Sequence, residues 1–279
     1  MSLRTGEVRF LLNRVFYRMA TLEAGDPAAP PIVCVHGLTR NGHDFEPLMQ
    51  ALADRFLLIA PDLPGRGSSE WLAAGDLYQP ETYVQALAHL LAKIGRPVMW
   101  VGTSLGGICG MLIAAARAQP ITKLVLNDIG PQVPEAALRR IQDYIRAAPE
   151  SFADLARFES HLRAIYAPFG KLSDADWARM ARTSARLLPD GRLAFHYDPR
   201  IADPFRDEQP KEIDLWPFWK RIKIPVLAIR GETSDLLLPQ TLQRMVADGA
   251  KNLIIPGAGH APALADQASQ RAIADFLSG

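Results

Sequence analysis

Six short runs of apolar residues, spread along most of the chain, restrict its possible folds more than any other feature. Each run is continuous rather than alternating, which is typical of strands covered on both faces of a parallel sheet. Stretches with helical spacing separate the runs, and this alternation predicts an α/β fold with a doubly wound sheet. The runs are Ile32–Val35, Leu57–Ala60, Val98–Val101, Lys123–Leu126, Val226–Ile229 and Leu253–Ile255.

Two further strands are predicted at the start of the chain. Glu7–Leu12 and Val15–Ala20 flank Asn13-Arg14, and this pattern predicts a hairpin that forms an antiparallel edge of the main sheet. The sequence therefore predicts a mostly parallel sheet of about eight strands with helices on both faces.

One interval breaks the regular spacing of the strands. From Lys123 to Val226 the gap is about a hundred residues, far more than a simple crossover needs. We therefore predict a core domain of residues 1–129 and 221–279, with a helical cap of residues 130–220 inserted after the sixth strand. The helices expected in the cap are Ala136–Ala147, Ser151–Tyr166 and Ala175–Leu187, the last with Asp174 as its N-cap.

Composition restricts the partners and the compartment. The net charge of +1 gives no electrostatic reason to expect nucleic acid or an anionic membrane as a partner. Cys34 and Cys109, the two cysteines, are predicted to be buried and unpaired, which fits a reducing compartment. No signal-peptide core or run of membrane-spanning length is recognised, so we expect a cytoplasmic protein. We also expect a monomer or homodimer without cofactor or metal.

A candidate nucleophile lies directly after the third apolar run. Gly102-Thr103-Ser104-Leu105-Gly106 has the form Gly-x-Ser-x-Gly, and a helical stretch, Ile108–Ala118, follows it. A sharp strand-to-helix turn of this kind lifts a serine hydroxyl out of the sheet. The small glycines allow the strand and the helix to approach closely.

A serine nucleophile needs a base and an orienting carboxylate. Of the six histidines, His260 follows the last apolar run in Gly257-Ala258-Gly259-His260, at the expected carboxyl edge of the sheet. His36 precedes Gly37 and is expected to shape its loop, and the other four lie in helical or cap segments.

Two carboxylates compete for the role of triad acid. Asp235 follows the Val226–Ile229 run, and the resulting order Ser104, Asp235, His260 is the order expected for this architecture. Asp128 follows the preceding run and is the rival. We predict Asp235, with Asp128 anchoring the entry to the cap; Glu232 is closer to its strand and less suited.

An oxyanion hole requires two N–H donors. The backbone N–H of Leu105 follows the nucleophile, and the N–H of Leu38 in His36-Gly37-Leu38 follows the first apolar run. These two amides are the predicted donors.

Together these motifs closely resemble those of the α/β-hydrolase superfamily. The resemblance extends to Asp62-Leu63-Pro64-Gly65-Arg66-Gly67-Ser68-Ser69, which it identifies as a structural loop, and it covers nearly all of the chain outside the cap. It implies a cofactor-free serine hydrolase that cleaves a small carboxylic ester or lactone through an acyl-enzyme.

Two alternatives use the same fold. The first is a carbon–carbon bond hydrolase of aromatic ring-cleavage products, although such enzymes typically carry a Trp where this chain has Ala261. The second is a ligand sensor with slow turnover. For any of these functions, an Arg200 or His196 side chain directed into the pocket would favour an acidic ligand.

Overall fold

Eight strands form one sheet in the computed structural model, which describes residues 2–205 and 210–279. The sheet has the strand order β1-β2-β4-β3-β5-β6-β11-β12. The β1–β2 and β2–β4 pairs are antiparallel and all other neighbours are parallel, which confirms the predicted sheet. Its strands are β1 (Arg4–Leu12), β2 (Val15–Ala24), β3 (Pro31–Val35), β4 (Leu57–Pro61), β5 (Val98–Thr103), β6 (Ile121–Asn127), β11 (Val226–Gly231) and β12 (Lys251–Ile255).

Helices cover both faces of this sheet. On one face, Leu48, Met49 and Phe276 belong to a buried cluster with the inward side chains of the strands. On the other face, Leu87 and Trp100 belong to a larger cluster that continues into the inserted segment. The core helices are α1 (Glu46–Leu52), α2 (Pro80–Ile94), α3 (Leu105–Ala114), α8 (Pro239–Ala247) and α9 (Gln267–Ser278).

The hairpin at the start of the chain follows the prediction with longer strands. Asn13 and Arg14 both have positive φ, 47° and 68°, which is the backbone conformation of a two-residue type I′ turn. This turn matches the twist of β1 and β2 and sets their register.

The long segment between β6 and β11 contains helices and two small antiparallel pairs of strands. β7 pairs with β10, and β8 pairs with β9, both antiparallel. The boundaries of a separate cap domain at residues 130 and 220 stay a prediction, and residues 206–209 within it lie outside the described residues. The elements are β7 (Gln132–Val133), α4 (Glu135–Arg146), α5 (Leu155–Ile165), α6 (Asp174–Ser184), β8 (Ala185–Leu187), β9 (Leu193–Phe195), β10 (Ile213–Asp214) and α7 (Trp216–Trp219).

The start of α6 differs from the prediction by one residue. Ser173, and not Asp174, is the N-cap: its hydroxyl accepts from the N–H of Asp176, whose carboxylate in turn accepts from the N–H of Ser173. This reciprocal capping box satisfies two helix-terminal donors, so Asp174 becomes the first helical residue. At its other end the predicted helix stops at Ser184, because Ala185–Leu187 pairs with β9.

The parallel strands bring three loops to the same edge of the sheet. Thr103 on β5 lies opposite Asn127 on β6, which lies opposite Ile229 on β11. The residues that follow these strands therefore share the carboxyl edge, where open α/β sheets bind ligands.

Candidate active site

Ser104 occupies a strained turn between β5 and α3. Its φ of 50° and ψ of −114° lie in a region that residues with a Cβ rarely adopt. The neighbouring glycines are required sterically, because a Cβ on Gly102 would lie 2.4 Å from the carbonyl oxygen of Gly106. A Cβ on Gly106 would lie 2.0 Å from the carbonyl oxygen of Val35. The surroundings thus hold Ser104 in the geometry expected of a nucleophile turn.

Folding brings Ser104 and His260 within hydrogen-bond distance. The Nε2 atom of His260 is 3.1 Å from the Oγ atom of Ser104, and its Nδ1 atom is 2.8 Å from Oδ2 of Asp128. With Nδ1–H donating to Asp128, Nε2 is the nitrogen able to accept the serine proton. The three side chains form one continuous line of hydrogen bonds.

Asp128 is fully buried, and four donors surround its carboxylate. Besides His260, these are the N–H of Gly231 at 2.9 Å, the hydroxyl of Ser234 at 2.7 Å and the N–H of Ala261 at 3.2 Å. Hydrogen bonds to an ionised carboxylate stabilise its charged form. These contacts hold the Asp128 side chain in a fixed orientation against His260.

Asp235, the predicted triad acid, does not bind His260 in this structure, where Asp128 occupies that position. The Asp235 carboxylate is about half exposed and binds Arg140 of α4 in a bidentate pair, with Nε–Oδ2 and Nη2–Oδ1 distances of 2.6 and 2.8 Å. Partial burial raises the pKa of Asp235, but the hydrogen bond and charge of Arg140 outweigh this and lower it. Asp128 directly follows β6, the neighbour of the strand that carries Ser104, and this places its carboxylate under the imidazole.

Asn127 and Ser234 fix the surroundings of this line of side chains, and sequence reasoning assigned neither of them this part. The side-chain amide of Asn127 donates to the carbonyl of Pro262 at 2.8 Å, which ties the His260 loop to the end of β6. Ser234 donates to Asp128 as described. Both residues lie next to a candidate carboxylate in the sequence, and this adjacency was the only available signal.

The His36-Gly37-Leu38 loop lies against Ser104. A Cβ built on Gly37 would be 3.7 Å from the Cβ of Ser104. Within residues 2–205 and 210–279, neither the N–H of Leu38 nor that of Leu105 donates a hydrogen bond. The role of these two amides as oxyanion donors stays a prediction, and it requires that no protein acceptor occupies them.

Buried polar groups hold this loop in place. His36 donates from Nδ1 to the carbonyl of Gly37 at 2.7 Å, and its Nε2 accepts from the N–H of Leu63 at 2.9 Å. Burial lowers the pKa of His36 to about 4, which keeps the ring neutral. The fully buried Arg66 donates from Nε to the carbonyl of Leu38 at 2.9 Å. The Asp62–Ser69 loop therefore supports the candidate oxyanion site.

A cavity of about 1040 Å³, including its open mouth, lies over Ser104 and His260. Core loops line one side of the cavity, and α4, α5, α6 and the residues after α5 line the other. Of the 26 residues of the wall, twelve carry polar or charged side chains, and the others are apolar or glycine. The inserted segment contributes Arg140, Ile141, Tyr144, Ile165, Tyr166, Pro168, Phe169, Leu172, Arg179, Met180 and Thr183.

The two cap residues named as candidates for an acidic ligand do not line this cavity. Arg200 binds the buried carboxylate of Asp198 and the carbonyl of Leu72. His196 is also absent from the wall. In the described residues, no group of three or more His, Cys, Asp or Glu side chains is placed to hold a metal ion, and no helix combines the length and apolar character needed to cross a bilayer.

The strand order, the strained serine turn and the cavity above it define an α/β hydrolase. Residues 32–275 match the alpha/beta hydrolase family, and the chain belongs to that family. It is 38% identical to a 3-hydroxybutyrate-oligomer hydrolase from Cupriavidus necator, over 100% of this chain and 99% of the relative.

Solved structures agree with this assignment. An alpha/beta hydrolase from Novosphingobium aromaticivorans superposes with a TM-score of 0.87 at 35% identity, covering 98% of each chain. The E-2-(acetamidomethylene)succinate hydrolase structure has a TM-score of 0.84 at 25% identity, covering 99% of this chain and 100% of that one. Other relatives are esterases by name, so the protein is a hydrolase whose homologues are consistent with ester hydrolysis.

Proposed function

We propose that this protein hydrolyses small carboxylic esters through an acyl-enzyme on Ser104. The observation that carries the proposal is the line of hydrogen bonds from Ser104 through His260 to Asp128. A serine hydroxyl alone is a weak nucleophile, and an adjacent base held by a carboxylate activates it. Because the C. necator relative is named for 3-hydroxybutyrate oligomers, short oligomers of this hydroxy acid are the first substrates to test.

The first half-reaction transfers the acyl group to the enzyme. His260 accepts the Ser104 proton at Nε2 while Oγ attacks the ester carbonyl carbon, and the carbonyl oxygen becomes the oxyanion. The backbone N–H groups of Leu38 and Leu105 stabilise that charge. As the tetrahedral intermediate collapses, the bond to the alcohol oxygen breaks, and His260 donates its proton to this leaving group.

The second half-reaction releases the acid. His260 removes a proton from a water molecule, and the resulting hydroxide attacks the acyl carbon. The bond between this carbon and Oγ then breaks, and the proton returns to Ser104. Asp128 stays ionised throughout and stabilises the imidazolium that forms in both halves.

Labelling and hydrolysis together test this assignment. The protein is incubated with a fluorophosphonate probe and separately with p-nitrophenyl butyrate, and Ser104→Ala is treated in the same way. We expect the wild type to be labelled at Ser104 and to release p-nitrophenolate, and Ser104→Ala to do neither. Equal behaviour of the two proteins would remove Ser104 as the nucleophile.

Several predictions from the sequence accompany this proposal. Carbon–carbon bond hydrolysis and slow-turnover sensing stay predictions. Turnover of ring-cleavage products tests the first, and tight ligand binding with negligible kcat would support the second. We also propose a cytoplasmic protein, which is supported by two buried cysteines that are not disulfide-bonded. Sedimentation velocity distinguishes a monomer from a homodimer.

A further inference from the structure

Two polar side chains of α4 lie on the same face of the helix, over the candidate nucleophile. Arg140 and Tyr144 are four residues apart, which places them side by side on the helix surface. Both line the cavity that contains Ser104 and His260. Their shared direction makes this face of α4 a place where one substrate group could contact both.

The hydroxyl of Tyr144 belongs to a cluster of three hydroxyl groups in which one donor hydrogen is not used. Thr39 Oγ1 lies 2.9 Å from the hydroxyl oxygen of Tyr166 and 3.4 Å from that of Tyr144. Three hydroxyls carry three donor hydrogens, and these two contacts use two of them. Arg40 also interacts with the Tyr166 hydroxyl, but a guanidinium only donates and uses none of these hydrogens, so one donor of the cluster remains for a ligand. Burial raises the pKa of Tyr144, which keeps that hydroxyl protonated.

Arg140 also has a donor group that is not used. Its Nε and Nη2 bind Asp235, whereas Nη1 makes no hydrogen bond to the described residues. The two side chains of this ion pair are 42% and 48% exposed, and ion pairs this accessible to water add little stability. A ligand anion can therefore share or replace Asp235 at small cost.

The other charged groups of the cavity wall are also paired, Arg179 with Asp176 and His43 with Glu46. Arg40 is buried and binds Asp44 in a bidentate pair, and it also donates to the hydroxyl of Ser184. Asp44 is the acidic residue of the wall, and Arg40 neutralises it. The α4 face thus offers unused donors from Arg140 and from the Tyr144 cluster, in a part of the cavity without a free carboxylate among the described residues.

We propose that Arg140 and Tyr144 bind a carboxylate of the substrate, so that the preferred substrate is a short ester with a free carboxylate besides the scissile bond. A carboxylate accepts hydrogen bonds and donates none, which complements the unused donors of this face. Short hydroxy-acid oligomers, whose terminal unit carries a carboxylate, belong to this class. The inference rests on the proposed function.

A matched pair of substrates tests the inference. The linear dimer of 3-hydroxybutyrate and its methyl ester contain the same internal ester bond, and only the first carries a carboxylate. Chromatography separates 3-hydroxybutyrate from methyl 3-hydroxybutyrate, so cleavage of the internal bond is followed for both. The quantity compared is the ratio of kcat/KM for the acid to kcat/KM for the methyl ester.

We expect the wild type to favour the acid and Arg140→Gln to lower the ratio at least tenfold, because a charge-assisted hydrogen bond to the carboxylate is lost. Tyr144→Phe should lower it less, and Arg140→Lys should restore part of it. Arg139→Gln is the matched control, since its guanidinium binds Glu135 and lies outside the cavity wall. This control should keep the wild-type ratio.

Asp235→Asn provides a second variant, which tests the site even if Arg140→Gln does not fold. It removes the competing anion, so the KM for the acid should fall while Arg140 stays in place. A ratio unchanged in both Arg140→Gln and Asp235→Asn would overturn the carboxylate site. If the methyl ester is still cleaved in a Ser104-dependent manner in that case, the proposed function survives and only the site fails. Loss of labelling and of all ester cleavage in the wild type would instead remove the proposed function.

Discussion

The carboxylate of Asp128 lies 2.8 Å from the imidazole of His260, although the two residues are 132 positions apart in the sequence. The contact arises because β6 lies between β5 and β11 in the sheet, so that its carboxyl end opens directly beneath the His260 loop. Asp235, at the end of the neighbouring strand, faces Arg140 instead. We therefore expect the two aspartates to have separable effects on activity.

We expect Asp128→Asn to lower kcat for p-nitrophenyl butyrate by about 10³–10⁴-fold, because an amide orients the imidazole poorly and leaves the imidazolium unstabilised. Asp235→Asn should lower kcat by less than about tenfold, since its carboxylate does not contact His260. Steady-state kinetics of both variants, with circular dichroism to check folding, measure the difference. A larger loss in Asp235→Asn than in Asp128→Asn would reverse the assignment of the acid.

His36 should make the stability of the protein depend on pH. Its pKa is lowered from 6.5 to about 4 by burial, so between these values the unfolded chain binds a proton that the folded protein excludes. The free energy of unfolding should therefore fall as the pH drops from about 6.5 to about 4, by about 3 kcal/mol in total.

Urea unfolding at a series of pH values measures this contribution in the wild type and in His36→Asn, which retains a short polar side chain. We expect a shallower dependence in the variant over this range. His89→Gln on α2 is the control and should follow the wild type. Parallel curves for His36→Asn and wild type would show that the ring of His36 is not the titrating group.

Two glycine substitutions should separate an effect on folding from an effect on catalysis. Gly106→Ala places a methyl group 2.0 Å from the carbonyl oxygen of Val35. This oxygen belongs to the backbone of β3, which cannot move away as a flexible side chain could. We expect it to destabilise the fold by more than about 3 kcal/mol or to prevent soluble expression. In Gly37→Ala the new methyl carbon would lie 3.7 Å from the Cβ of Ser104, which is an ordinary contact. This variant should therefore fold, and it should lose activity because the methyl group crowds the ester carbonyl. Thermal unfolding and p-nitrophenyl butyrate kinetics distinguish the two outcomes.

Arg66→Lys should weaken catalysis through the Leu38 loop. Lysine keeps the positive charge but cannot reproduce the Nε contact with the carbonyl of Leu38 together with the Nη1 contacts to Pro64 and Tyr83. A less firmly held Leu38 N–H stabilises the oxyanion less, so kcat should fall by about tenfold with a smaller change in KM. A change confined to KM would argue against this role for the loop.

The strands and the serine turn could be predicted from the sequence because their signals are local. A continuous apolar run such as Val98–Val101 reports burial on both faces, and Gly102 is required by a contact with Gly106 within the same turn. The pairing of Ser104 with His260 also follows from strand ends that share one edge. These expectations depend on order along the chain and not on side-chain direction.

The choice between Asp128 and Asp235 could not be made in this way. Both follow strands at the same edge, and only the sheet order and the position of Arg140 on α4 separate them. The short elements β8 and β9 were missed because each is too short for periodicity to identify, and their pairing is a tertiary contact. The cavity wall was likewise not predicted, since Arg140 and Tyr144 resemble ordinary surface residues of an amphipathic helix.

The segment between β6 and β11 begins just after Asp128 and ends before β11. It therefore adds a wall to the cavity without separating Ser104 or His260 from the strands that carry them. The inserted side of the cavity wall and the proposed bond-cleaving residues are consequently encoded in different stretches of the gene. Grafting another hydrolase's insertion between these two strands should redirect selectivity while leaving the reaction itself intact, which makes this chain a suitable scaffold for exchanging specificities.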